Sequence, residues 1–222
     1  MCFSATASFA AAGVTTVAGG AALRAARRPA QLLLSAIPLL FALHQGAEGF
    51  LWLALTQPEH AAWRQPAMFA FLSVAEVIWP SFVPLVVWAL ETDPGRKRVL
   101  AALLVLGCAL AVTRVYGLLA YPASATILGQ HIQYRLDAPF LVRRIGDICY
   151  VLVTVGSPIV SSSKQVRWIG LLVLASLVLS KIFFYQTFIS VWCFFAAIIS
   201  ALVVVVVRRR AVELQAVSAP AA

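Results

Sequence analysis

The sequence predicts an all-α, polytopic membrane protein built as a seven-transmembrane-helix bundle, and three observations carry that prediction. The 222 residues are 62% hydrophobic and 11% charged, whereas soluble domains carry roughly 25% charged residues. Basic clusters cut the chain into apolar stretches close to the roughly 20 residues that cross a hydrocarbon core of about 30 Å. Those clusters also fall on alternate loops, as the positive-inside bias requires.

Spans are expected at about 4–23, 31–56, 67–90, 99–121, 141–160, 168–184 and 187–207. The last two meet at Tyr185-Gln186-Thr187, which holds neither glycine nor proline. Residues 168–207 as one helix would nonetheless run about 60 Å, twice the bilayer, so they fold back. Arg24, Arg27 and Arg28 follow the first span, Arg96, Lys97 and Arg98 the third, Lys164 and Arg167 the fifth, and Arg208, Arg209 and Arg210 the seventh. The opposite loops carry only Arg64, Arg135 and the helix-edge pair Arg143 and Arg144. The N-terminus is therefore expected on the outer side of the membrane and the C-terminus on the cytoplasmic side. A single transmembrane domain is read over 1–210 and a short disordered cytoplasmic tail over 211–222. No cleavable signal is read, because the first apolar stretch has no basic leader. The net charge of +9 reports orientation, so the expected partners are the lipid bilayer and a small-molecule substrate, not nucleic acid.

Between spans four and five, PASATILGQHIQYRLDAP alternates around Gly129-Gln130. It is expected to form a small extracytoplasmic hairpin, with Ile132, Tyr134 and Leu136 on one face and His131, Gln133 and Arg135 on the other.

Ionisable groups cost about 2.5–3.5 kcal/mol at the centre of a span on insertion scales, so their positions are informative. Measured from the outer helix ends at 1.5 Å per residue, Lys181, Cys193, Arg114, Asp147, Glu48 and Glu76 lie about 6–15 Å deep, with His44 somewhat deeper. The inner halves carry essentially none. One outward-opening polar cavity is expected, capped by Cys2 and the His131 hairpin. In HQGAEGFLW, His44 and Glu48 stand at i and i+4 with Gln45 beside them, either a proton- or metal-holding pair or an interhelical hydrogen-bonding pair. In AEVIWPSFVPL, Pro80 follows Glu76 by four, which predicts a kink just below that carboxylate. Arg114 stays charged and needs a partner, for which Glu48 and Glu76 are the candidates. Asp147 is spaced to pair with Arg143 on its own helix, and Lys181 is close enough to its helix end to snorkel. Small-residue stripes, Ser8, Ala12, Thr16 and Gly20 in the first span and Ser190, Cys193, Ala197 and Ser200 in the seventh, predict close helix packing.

MCFSATASF, HQGAEGFLW, WPSFVPL, QHIQY and FISVWCFFAA together resemble the pattern of a bacterial multi-pass membrane family of unknown function whose members open Met-Cys-Phe-Ser. The resemblance covers nearly the whole chain and implies seven helices without supplying an activity. It places Cys2, Gln45, Glu48, Trp52, Pro80, His131, Tyr134, Trp192 and Cys193 in the family pattern.

Three functional readings follow. Cys2, Glu48, His131 and Cys193, with His44 as a weaker ligand, are the expected donors of a zinc or copper site acting on a membrane-accessible substrate; Cys2 and Cys193 alone are the alternative as a disulfide or redox pair. The second reading is a small polar-solute or proton-coupled transporter, or a binding bundle, using Gln45, Trp52, Glu76, Arg114, Tyr134, Asp147 and Lys181. The third is a structural or accessory subunit. Whether the protein is an enzyme stays open. The seventh span has no lysine for retinal and no paired histidines, only His44 is placed to ligate haem from within a span, and the chain has no Gly-rich phosphate loop or nucleophile elbow.

Overall fold

The computed structural model describes residues 4–209. Among the described residues seven helices follow in order: α1 (Ala5–Ala25), α2 (Pro29–Thr56), α3 (Pro58–Leu90), α4 (Pro94–Ala120), α5 in two parts (Phe140–Thr154 and Gly156–Val160), α6 (Lys164–Phe183) and α7 (Tyr185–Arg209). Among the described residues, all but α5 are long and apolar enough to cross a membrane. The exception has a physical cause. Pro158 cannot donate to the Thr154 carbonyl, and the helix breaks at Val155. Beside the break the Ser157 hydroxyl donates to the Val153 carbonyl, at 2.6 Å.

The strands β1 (Ala123–Leu128) and β2 (His131–Leu136) pair antiparallel with Leu128 opposite His131. The turn needs a residue at positive φ, and Gly129 supplies it at 61°. The expected alternation holds. Ile132 is fully buried over Leu51, Met68 and Phe71, and the Tyr134 ring stacks on Phe71 at 4.4 Å. The hairpin thus covers the end of the bundle where α2 and α4 finish and α5 and α7 begin.

α1 packs chiefly on α2 and also adjoins α7. Its packed face is Ser8, Thr15, Gly19 and Ala22, a correction to the expected stripe, since Thr16 is exposed and the true helical period rotates the face by one position. At Gly19 a Cβ would fall 2.5 Å from the Leu39 side chain, so this position requires glycine.

The expected kink in α3 takes a different form: a π-helical turn over Ser73–Ile78. The Trp79 N–H bonds the Val74 carbonyl five residues back rather than that of Ala75. The next N–H along would be at position 80, and proline has none. The stranded Ala75 carbonyl is satisfied by the Tyr150 hydroxyl of α5, at 2.6 Å. Pro80 also sets the crossing with α4, because a Cβ on Gly107 would lie 1.9 Å from the Pro80 carbonyl oxygen.

At the opposite, arginine-rich end, Glu91 ties two loops together. Its carboxylate accepts from the Thr92 and Asp93 N–H groups at 3.0 Å and from the Ser162 N–H at 2.7 Å, and the Ser162 hydroxyl also donates to it. Arg96 donates to the Val160 and Ser161 carbonyls alongside. Burial alone would raise the Glu91 carboxyl, but these donors outweigh it and hold the group down at about 2. A depressed carboxyl adds stability above its ordinary value near 4.5 that is lost as pH falls towards 2. Thermal unfolding in nanodiscs should therefore show wild-type stability falling across that window, whereas Glu91→Gln is less stable at neutral pH and flatter on acidification. Parallel curves for the two proteins would contradict the assignment.

Candidate functional site

The centre of the hairpin end is Arg114, near the end of α4, with a side chain 12% exposed. Its Nε lies 3.2 Å from Glu76 Oε2, and its Nη2 donates to Asp147 Oδ1 at 2.9 Å. Glu76 sits in the π-helical turn of α3 and Asp147 on the first turns of α5, so one guanidinium ties three helices. Two carboxylates around one buried guanidinium is the arrangement that makes such a charge tolerable in a span. Gly146 makes the room: a Cβ there would lie 2.9 Å from Arg114 Nη2.

One expected pairing is thereby corrected and another met. Asp147 pairs with Arg114 of another helix and not with Arg143 of its own, because Arg114 is the less exposed cation and has more to gain from a carboxylate. Of the two candidates for Arg114, Glu76 is the partner. Glu48, fully buried on α2, instead accepts from the Ser190 hydroxyl of α7 at 2.6 Å.

A cavity of about 330 Å³ opens beside the cluster. Glu76, Arg114, Tyr134, Asp147, Lys181 and Cys193 all line it, as the sequence placed them; so do Gln133, Arg143 and Tyr150, which sequence spacing did not place in the site. A further cavity of about 180 Å³ continues past Arg114 towards Arg135 and Leu136 of the hairpin. Lys181 departs from simple snorkelling. Its ammonium lies 3.9 Å from the centre of the Phe188 ring and 5.6 Å from that of Tyr185, a cation–π seat at the cavity wall.

Gln45, His44 and Trp52 line none of this space. With Glu48 they form a buried layer on α2, where the His44 ring stacks on Phe71 at 3.9 Å and Phe71 in turn on Tyr134. No hydrogen bond joins His44 to Glu48. His131 is half-buried with its ring edge-on to Phe184 at 5.0 Å, and burial lowers its imidazole pKa. Among the described residues, no three of His, Cys, Asp and Glu gather as a metal-binding set. Cys2, the remaining expected ligand, lies outside the described residues. Cys193 is a free, buried thiol.

Chemically, the cavity wall holds three cations against two carboxylates. Arg114 is committed to both carboxylates, whereas Arg143 and Lys181 pair with none among the described residues. The space is thus suited to a ligand bearing negative charge. The cluster itself makes a stability prediction. Arg114→Met should cost about 3–5 kcal/mol by leaving Glu76 buried beside no cation, and adding Glu76→Gln should recover much of the loss. Thermal unfolding of the single and double variants in nanodiscs reads the coupling, and strictly additive effects would contradict the pair.

No curated protein and no solved structure matches the chain. Residues 1–218 match a family of unknown function, DUF6629, and the chain belongs to that family.

Proposed function

We propose that this protein is a membrane-embedded binding bundle for a small, negatively charged polar solute, held in the cavity beneath the hairpin. The observation that carries the reading is the pair Arg143 and Lys181, facing a cavity of about 330 Å³ whose only other cation among the described residues is already neutralised. Few sites in an apolar bundle can reward an anion for leaving water, and unpaired cations inside or at the edge of spans are the usual means. Loop charge supports an orientation with the hairpin end outside the cytoplasmic membrane, the bacterial setting being what the sequence resemblance implies. The solute would then enter from outside. The π-helical turn at Glu76 supports transport as an extension of binding, since wide turns in spans cluster at functional positions.

Isothermal titration of nanodisc-embedded protein with butyrate and with glycerol phosphate tests the reading. At least one should bind, and the Arg143→Gln/Lys181→Gln double variant should weaken it by at least about tenfold, since two charge-assisted contacts are lost. Absence of binding, or equal binding by the variant, overturns it. Stoichiometric zinc or copper on the purified protein, lost in a Cys2→Ser/Cys193→Ser variant, would instead favour a metal site built on Cys193 at the cavity wall.

A further inference from the structure

A third cavity, of about 110 Å³, lies on the other side of Tyr150, Trp192 and Cys193, and these three residues line both it and the polar cavity. Its character is opposite. Its wall runs from Trp79 to Leu90 along α3 and from Trp192 to Val203 along α7, with Val166 and Val173 of α6 closing a side, and it contains no charged group. At 1.5 Å per residue that wall is about 16 Å long. The polar cavity with its two uncommitted cations therefore sits on the end of a narrow apolar one, with one shared partition.

Resting on the anion-binding reading, we infer that the ligand is a single-chain amphiphile, its carboxylate or phosphate head against Arg143 and Lys181 and its hydrocarbon tail along the apolar cavity past Trp192. Charge places the head: of the two cavity walls, only that of the polar cavity carries cations, and the tail wall offers none. A volume of about 110 Å³ favours a single chain. The partition is a layer of side chains, with Tyr150 held by its hydroxyl to the Ala75 carbonyl and Trp192 packed edge-on against it at 5.8 Å between ring centres, and the tail would pass beside it. The bilayer is itself a source of such molecules, so the site is served by a solute dissolved in lipid as readily as by one from water.

The test compares dodecanoate with butyrate on the full chain in nanodiscs, using titration and quenching of Trp192 fluorescence by dodecanoate brominated at its tail end. Trp192→Phe supplies the background from the other tryptophans. Two substitutions fill the apolar cavity from different helices, Ala196→Phe on α7 and Val83→Phe on α3, so that misfolding of one leaves the other to decide. The expected result is that dodecanoate binds at least about tenfold tighter than butyrate, quenches Trp192, and loses about tenfold in either filled variant while butyrate is unchanged, the effect of displacing a few buried methylenes. If both acids bind alike and both weaken in Arg143→Gln/Lys181→Gln, the anion site stands and the tail assignment falls. If dodecanoate binds regardless of the two cations, the head is elsewhere and both readings fall. If neither acid binds, the tail assignment falls, and the anion reading falls with it unless glycerol phosphate binds. A lysophospholipid replacing dodecanoate as competitor separates a phosphate from a carboxylate head.

Discussion

A guanidinium does not give up its charge in a membrane, and the arrangement of the hairpin end follows from that constraint. Arg114 is placed on α4 where its side chain is almost wholly buried, and it requires anions from helices that approach from both sides. Glu76 of α3 and Asp147 of α5 supply them, and Gly146 clears the volume the guanidinium occupies. The placing of α3 and α5 around α4 is thus coupled to one charge, and the polar cavity is the space left beside it.

The backbone of α3 is shaped to the same end. Proline at position 80 deprives the preceding turn of a donor, the turn widens, and Glu76 is carried on that widened segment. Such a defect is expensive unless the stranded carbonyl finds a donor. Tyr150 provides it from α5, the helix that also contributes Asp147. Gly107 then lets α4 close against Pro80. Backbone irregularity, ionic cluster and cavity are therefore one construction, and the functional reading rests on the parts of it that remain uncommitted, Arg143 and Lys181.

Much of this is legible in the sequence. Hydropathy and basic loops locate all seven spans to within a few residues at most ends, because crossing a bilayer constrains length and composition so strongly; the early start of α3 at Pro58 is the main exception. The hairpin is legible because period-two alternation flanks a glycine, and the grouping of Glu76, Arg114, Asp147, Lys181 and Cys193 follows from depth alone. What depth cannot supply is azimuth. Spacing within one helix points Asp147 at Arg143, whereas the actual partner comes from the neighbouring helix, and nothing local encodes which helix is the neighbour. Tyr150 and Gly146 escape for the same reason: a tyrosine and a glycine in an apolar span are ordinary until their neighbours are known. Pro80 signals a disturbance without showing that it would be a π-helical turn. Glu91 escapes because its partners, backbone donors and Ser162, lie across a loop contact between residues 71 positions apart. The α2 layer shows the opposite limit, since His44 and Glu48 have ideal spacing yet make no hydrogen bond to each other; stacking on Phe71 and the Ser190 contact hold them instead.

The proposed function requires the ionic cavity beside Arg114 to face away from the cytoplasm, and side-specific labelling tests that most directly. In a chain with its native cysteines replaced by serine, Gln133→Cys on the cavity wall and Lys164→Cys at the arginine-rich end are treated with a membrane-impermeant maleimide in intact cells. The account predicts labelling at position 133 in intact cells and at position 164 only after lysis. Labelling of position 164 from outside, with 133 protected until lysis, would contradict it.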